Sequence, residues 1–203
     1  MSEFSKLLEK RRTIYALGNN TSYSKEEIVN AIRHAVRQSP SASNSQSTRA
    51  VVLFDEANKK AWNHIYDVQK DVLPEQAWNM MSGVIENARD SAVGTVLFFE
   101  DRDAVEAMPT SEATRENYKQ NNAGIAQYAV WLRLAEMDLG ASLQHFNVGY
   151  EQGFDKALRE MFELPETFEL IAQMPFGSIE QEAGEKEHID TDIQVKVRHN
   201  VSE

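Results

Sequence analysis

The segment Gly94-Thr95-Val96-Leu97-Phe98-Phe99 constrains the fold more than any other part of the chain, because it is apolar without alternation. Side chains of a strand point to opposite faces in turn, so such a run is stable only where both faces are covered. Ala50-Val51-Val52-Leu53-Phe54 reads the same way. A third strand is expected from Leu170 to Phe176, with Pro175 placing it at a sheet edge or near a strand end.

Between these runs the apolar spacing is helical. Residues 2–12 carry Phe4, Leu7 and Leu8 on one face and end in Lys10, Arg11 and Arg12, cations suited to the negative end of the helix dipole. Ser24 and Glu27 form a capping box before the stripe Ile28, Ala31, Ile32, Ala35 and Val36, which Pro40 stops. Residues 55–89 predict helix broken near Pro74, and residues 151–163 another helix before Pro165. Residues 122–139 form a helix apolar nearly all round, central or at an oligomer interface, with Gly140 as its C-terminal cap and Tyr128 and Trp131 as core or interface aromatics.

Residues 39–48 are a polar loop, and 101–117 look like a mobile, irregular excursion that could act as a lid. The late segment Ile193-Gln194-Val195-Lys196-Val197 alternates like a half-buried strand, and beyond the polar stretch 180–192 it could join a partner subunit. The expectation is a single α+β domain over residues 1–203, with one sheet and dominant helices.

Charge and chemistry narrow the function. A net charge of −11 argues against nucleic acid and against an anionic membrane surface. With no cysteine there is no disulfide, thiolate metal site or cysteine nucleophile. MSEFSKLLEKRR lacks the apolar core of a signal peptide, and nowhere do about 18 apolar residues run together. A soluble, cytoplasmic protein is expected. No GxGxxG, phosphate-binding P-loop, GxSxG or HExxH occurs, and the five histidines have no ligand spacing.

Two clusters remain. Arg11-Arg12-Thr13 brings two guanidiniums and a hydroxyl to a helix end, a donor set suited to phosphate. Pro40-Ser41-Ala42-Ser43-Asn44-Ser45-Gln46 offers hydroxyls and amides that both donate and accept, which a flat heterocycle with alternating carbonyls and ring nitrogens requires.

In order along the chain, the helix ending in Arg-Arg-Thr, the PSxxNxQ loop just before a strand, and a Gly-Ala segment after a long apolar helix resemble the nitroreductase family of flavoproteins. Arg11-Arg12-Thr13-Ile14-Tyr15-Ala16-Leu17-Gly18 and Phe176-Gly177-Ser178-Ile179-Glu180, with Gly184-Glu185-Lys186, are most similar to a branch found in yeast and Gram-positive bacteria, the fatty-acid-repression and copper-induced nitroreductases. The resemblance implies a central, mostly antiparallel sheet flanked by helices, in an intertwined homodimer with two FMN sites at its interface.

It further implies that Arg11, Arg12 and Thr13 hold the phosphate and ribityl end, with Lys186 nearby. Ser41, Ser43, Asn44 and Gln46 would reach the ring from the facing subunit, and Gln144 and His145 would lie at its N5 edge. The implied activity passes hydride from NAD(P)H through flavin N5 to nitroaromatic or quinone-like acceptors. A flavin-binding redox sensor with little turnover is the alternative. The chain departs from the family at Ser47-Thr48, where many members have Pro-Trp, and at Gln144-His145, where Glu-Gly is common. Ile14 and Tyr15 stand where classical members carry a lysine.

Overall fold

The computed structural model describes residues 1–146 and 154–199. Its elements in chain order are α1 (Glu3–Lys10), β1 (Leu17–Gly18), α2 (Lys25–Gln38), β2 (Thr48–Phe54), α3 (Asp55–Val72), α4 (Glu75–Asp90) and β3 (Gly94–Asp101). They continue with α5 (Arg102–Glu106), α6 (Glu112–Glu136), β4 (Gly140–Ala141), α7 (Phe154–Met161), β5 (Phe168–Ile179) and α8 (Thr191–Gln194).

The uninterrupted apolar run becomes β3, paired antiparallel with β2 on one side and β5 on the other. The strand order is β1-β5-β3-β2, with β4 also on β5, and every named ladder is antiparallel. Val96 and Phe98 point into a core made with α2 and α6, whereas Leu97 and Phe99 point into a second core with α3, α4 and α7. All four are fully buried, and burying each side chain contributes roughly 1.5–3 kcal/mol. The result is a helix–sheet–helix sandwich, as continuous apolarity on a strand requires. The capping box of α2 is present, with the Glu27 N–H donating to Ser24 Oγ at 3.2 Å and the Ser24 N–H to Glu27 Oε2 at 2.8 Å.

Several expectations are corrected. Strand β5 is central rather than an edge. The carbonyl of Pro175 accepts from the Ser142 N–H at 3.3 Å. A residue's N and O leave a strand on the same side, so the missing proline donor faces the short β4 side and leaves the β3 ladder intact. Residues 101–117 are ordered as α5 and the first turns of α6, started by Ser111, whose Oγ accepts from the Thr114 N–H. Their polarity serves ion pairs, Arg102 with Glu116 and Glu169, and Lys119 with Glu116 and Glu169. The stretch is therefore mostly helical, with only residues 107–111 irregular between α5 and α6.

Helix α6 ends through Asp138, which takes the left-handed conformation at φ 57°. Gly140 instead opens β4, where a Cβ would stand 2.9 Å from Ile179 Cγ1 and 3.0 Å from Ile14 Cβ. Within one chain α6 is not wholly central, since Ile125 and Tyr128 are 41% and 42% exposed, as the interface alternative for this helix has it. Of the helix expected at 151–163, residues 151–153 lie outside the described residues. Within one chain residues 193–197 form no strand: α8 is a single turn, and Ile193, Val195 and Val197 are each about two-thirds exposed.

Candidate functional site

Arg11 is the C-cap of α1, its N–H donating to Leu7 O. Its guanidinium carbon lies 4.4 Å from the centre of the Trp131 ring and 5.8 Å from that of Tyr128. Stacking of this kind holds a guanidinium flat and contributes about 0.5–2 kcal/mol. Arg12 Nη2 donates to Gly184 O at 2.6 Å, which brings the segment carrying exposed Lys186 to the arginines. Thr13 bridges Ala141, and the Ile14 N–H donates to Ala141 O at 3.0 Å. The arginine motif is thereby pinned to the sheet, and Arg11, Arg12 and Thr13 share one corner with the backbone of Gly184.

The second cluster is a strained turn. Ser43, Asn44 and Gln46 have φ of 53°, 51° and 46°, each a conformation that costs a non-glycine residue on the order of 1 kcal/mol or more. The side chains of these three residues are exposed, whereas Ser47 behind them is buried. A residue of α6 that sequence reasoning passed over sets the turn. Asn122, 2% exposed, accepts from the Ala42 N–H at 2.9 Å and donates to Ser45 Oγ at 3.1 Å and Ser47 Oγ at 3.0 Å. Ser41 Oγ accepts from the Gln46 N–H at 2.9 Å. Strain held by buried contacts is a mark of a functional loop.

Beneath the turn lies Glu100, fully buried, its Oε1 accepting from Thr48 Oγ1. Burial pushes its carboxyl above the usual 4.5, against the hydrogen bonds of Ser47 and Thr48 and the charges of Arg49 and Lys119, which pull it down. A folded-state pKa above the unfolded one favours the native state below about pH 4.5, and that advantage is lost as pH rises through the folded value. Glu100→Gln should therefore unfold at a higher temperature than the parent at pH 7.5. The gap should close as pH falls toward 4, as followed by circular dichroism melts.

Within one chain the two clusters do not meet. Asn122 and Trp131 are nine residues apart on α6, about 13 Å along the axis and about half a turn around it. The loop and the arginines thus sit on opposite flanks of the same helix. Gln144 is also parted from the arginines by its side chain. It pairs with Gln173, which lies opposite Leu97 of the second core, and paired residues share a face. Its side chain therefore turns to the α3–α4 side, and only its backbone can serve the assigned role. His145 is exposed beside α6 and lines a cavity of about 300 Å³ with Gln127.

The donor inventory of the arginine flank is informative. Arg11 Nε, Trp131 Nε1 and Gln127 Nε2 are buried without a hydrogen-bond partner, and Gln127 and Trp131 stand one turn apart on α6. A buried unsatisfied donor costs about 1–3 kcal/mol, so three along one track call for a ligand rich in acceptors. Phosphate oxygens, ribityl hydroxyls and ring carbonyls are such acceptors, and the donor set fits FMN.

The sequence model of the nitroreductase family matches residues 8–178. This chain belongs to the nitroreductase family. HBN1 of Saccharomyces cerevisiae is 30% identical over 201 residues, spanning 96% of this chain and 97% of the relative. The nitroreductase CinD of Lactococcus lactis, solved in complex with 4-nitrophenol, superposes with a TM-score of 0.82 at 36% identity, covering 97% of this chain and 100% of that one. These are the yeast and Gram-positive branches that the Arg11 and Phe176 motifs resemble. A protein of Desulfovibrio desulfuricans solved in complex with FMN shares the fold at 17% identity, with a TM-score of 0.71 over 98% of this chain and 99% of that one. This nitroreductase-family chain has, among its described residues, no helix long and apolar enough to cross a membrane.

Proposed function

We propose that the protein is an FMN-dependent, cytoplasmic oxidoreductase that acts as a homodimer and reduces nitroaromatic or quinone-like acceptors with NAD(P)H. The observation that carries this reading is the track of unpartnered buried donors at Arg11, Trp131 and Gln127, on the flank of α6 opposite a strained polar turn. When bound, FMN supplies the redox chemistry, taking hydride from a nicotinamide and delivering it to the acceptor.

The residues of the chain bind and orient. Arg11, stacked on Trp131, and Arg12 offer forked donors to the phosphate, with Thr13 and Lys186 beside them. Ser41, Ser43, Asn44 and Gln46 of a second copy meet the polar edge of the ring, because the same chain's loop faces away. The backbone at Gln144 and His145 borders the opposite edge. No residue needs to act as a strict general acid or base, consistent with a site of amides, hydroxyls and arginines.

The dimer would also use the tail. Strand β2 pairs only with β3 among the described strands. Beside it a cleft of about 670 Å³ has an apolar floor of Ile32, Val36 and Val52 and a rim with Arg33 and Arg37. The exposed Ile193, Val195 and Val197 with the acidic Asp190 and Asp192 complement it in polarity and charge when supplied by a partner. CinD, solved with 4-nitrophenol, supports the acceptor class.

The test is the absorption spectrum of the purified dimer, identification of the released chromophore, and NADH and NADPH oxidation with a nitroaromatic or a quinone. A flavin spectrum with acceptor-dependent turnover is expected. A colourless protein that takes up no added FMN would overturn the reading, and a yellow protein with negligible turnover would favour the sensor.

A further inference from the structure

The cofactor reading leaves Glu100, fully buried beneath the turn, without a task. The sheet sets its neighbours: Thr48 of β2 stands opposite it on one side and Glu169 of β5 on the other, and paired residues share a face. The cations that face it are committed elsewhere. Lys119 of α6, 3% exposed, is bound to Glu116 at 2.5 Å and to Glu169 at 2.9 Å, and Arg102 of α5 holds the same two carboxylates. Arg49 of β2 donates to Asp101 Oδ2 at 2.8 Å and to Gln46 O at 2.5 Å. The charges of Arg49 and Lys119 favour an ionised Glu100, but its near partners are hydroxyls.

Those hydroxyls belong to the exit of the turn. Thr48 Oγ1 donates to Glu100 Oε1. Oε2 is buried without a closed hydrogen bond, and the Ser47 hydroxyl favours the ionised carboxyl. Ser47 Oγ accepts from Asn122 Nδ2 at 3.0 Å, so its own proton is left to point at the carboxylate. The same Asn122 side chain reaches the Ala42 N–H and Ser45 Oγ. A run of directed bonds thus leads from the carboxylate through Ser47 and Asn122 into the turn, and Arg49 adds a second tie at Gln46 O.

We propose that Glu100 is the positioning residue of the ring-binding turn: ionised, it draws the Ser47 and Thr48 hydroxyls onto itself and locks residues 41–46 in the shape that meets the flavin, and protonated, it lets them relax. The proposal rests on the FMN reading for the ligand, and adds to it a proton-linked control of cofactor affinity.

The direction follows from the donor inventory. An ionised carboxylate only accepts, so both hydroxyls turn toward it and Ser47 Oγ keeps its lone pairs for Asn122. A protonated carboxyl, or an amide, carries a donor of its own. That donor competes with Asn122 for Ser47 Oγ and leaves the Ser47 proton without an acceptor. Burial makes the ionised form costly to the fold, so the two roles of Glu100 pull apart. Removing the charge should steady the protein as a whole while loosening the turn, whereas a purely structural group would move both the same way.

The experiment compares the full-length parent with Glu100→Gln between about pH 8 and pH 5. Two quantities are measured: the FMN Kd by fluorescence, and hydrogen exchange at residues 42–47, which requires no flavin. Near pH 8 the variant should bind FMN about tenfold more weakly, the usual effect of losing one charge-assisted hydrogen bond, and should exchange faster at 42–47, although it melts at a higher temperature. Both differences should narrow as pH falls, because the parent then takes up the proton that the amide imitates. The FMN phosphate itself titrates at about pH 6, so the ratio of the two Kd values at each pH isolates the carboxyl. Ser47→Ala should weaken FMN by itself, and Glu100→Gln added to it should cost less than it does in the parent. Equal exchange and equal Kd near pH 8, a Kd ratio that does not change with pH, or full additivity with Ser47→Ala would each overturn the role of Glu100. Faster exchange with unchanged FMN affinity would instead uphold its hold on the turn and overturn the assignment of that turn to flavin. In a protein that binds no flavin at all, the exchange measurement still decides Glu100.

Discussion

Replacing Arg11 and Arg12 together by alanine should yield a folded protein that elutes from gel filtration with little or no flavin. Each guanidinium offers a charge-assisted hydrogen bond to phosphate, worth about 1.5–3 kcal/mol. Losing two weakens binding by about 3–6 kcal/mol, or roughly 10²- to 10⁴-fold in Kd. The fold should survive, because α1 buries no residue and neither arginine belongs to the two cores. The melting temperature of the flavin-free variant should therefore stay near that of flavin-free parent. Arg11→Lys is the informative control. It keeps the charge but loses both the fork and much of the stacking on Trp131, so its Kd should fall between the two. Flavin content and fluorescence-monitored Kd are the measurements, and a double variant as fully loaded as the parent would remove the basis for placing the phosphate there.

Why these arginines could be picked out of the sequence while other parts of the site could not is a matter of which physical signals are local. The capping box of α2 and the apolar runs of β2 and β3 are local, since a cap joins residues three apart and double-sided burial leaves no alternation. The nitroreductase motifs are local too, which is why the family and sheet architecture could be expected before any coordinates. The start of α6 was hidden because its polar side chains are committed to Arg102, Glu116, Lys119 and Glu169, and ion-paired helix has the same composition as a surface loop. Pro175 misled because its orientation within β5, toward β4, is a property of the sheet. The face of Gln144 depends on its pairing with Gln173, 29 residues away. Asn122 and Gln127 were the costliest omissions. A polar residue inside a helix reads as solvent-facing until its neighbours are known, and both are buried. The alternation of Ile193, Val195 and Val197 predicts a half-buried strand, whereas within one chain the three side chains are about two-thirds exposed.

Asn122→Ala is the variant in which those hidden contacts should show most clearly. It removes the acceptor for the Ala42 N–H and the donor to Ser45 and Ser47, leaving a buried serine hydroxyl and a backbone amide to find new partners. At about 1–3 kcal/mol for each buried group left unsatisfied, a loss of roughly 2–4 kcal/mol in stability is expected. The consequence for function is separate. Ser43, Asn44 and Gln46 hold left-handed backbone against their own preference, and without Asn122 the turn relaxes before any ligand arrives. Flavin binding must then reorder it, which should weaken FMN by about 10- to 100-fold through ordering of a few side chains and backbone dihedrals. The two effects separate experimentally, because FMN affinity measured well below the melting temperature is insensitive to global unfolding, and hydrogen exchange at residues 42–47 reads the loop directly. Asn122→Asp keeps the acceptor for Ala42 and should retain part of both the exchange protection and the affinity. If the alanine variant exchanges rapidly at 42–47 yet binds FMN as tightly as the parent, the strained turn is a stability feature alone, and the ring edge must be recognised by other groups.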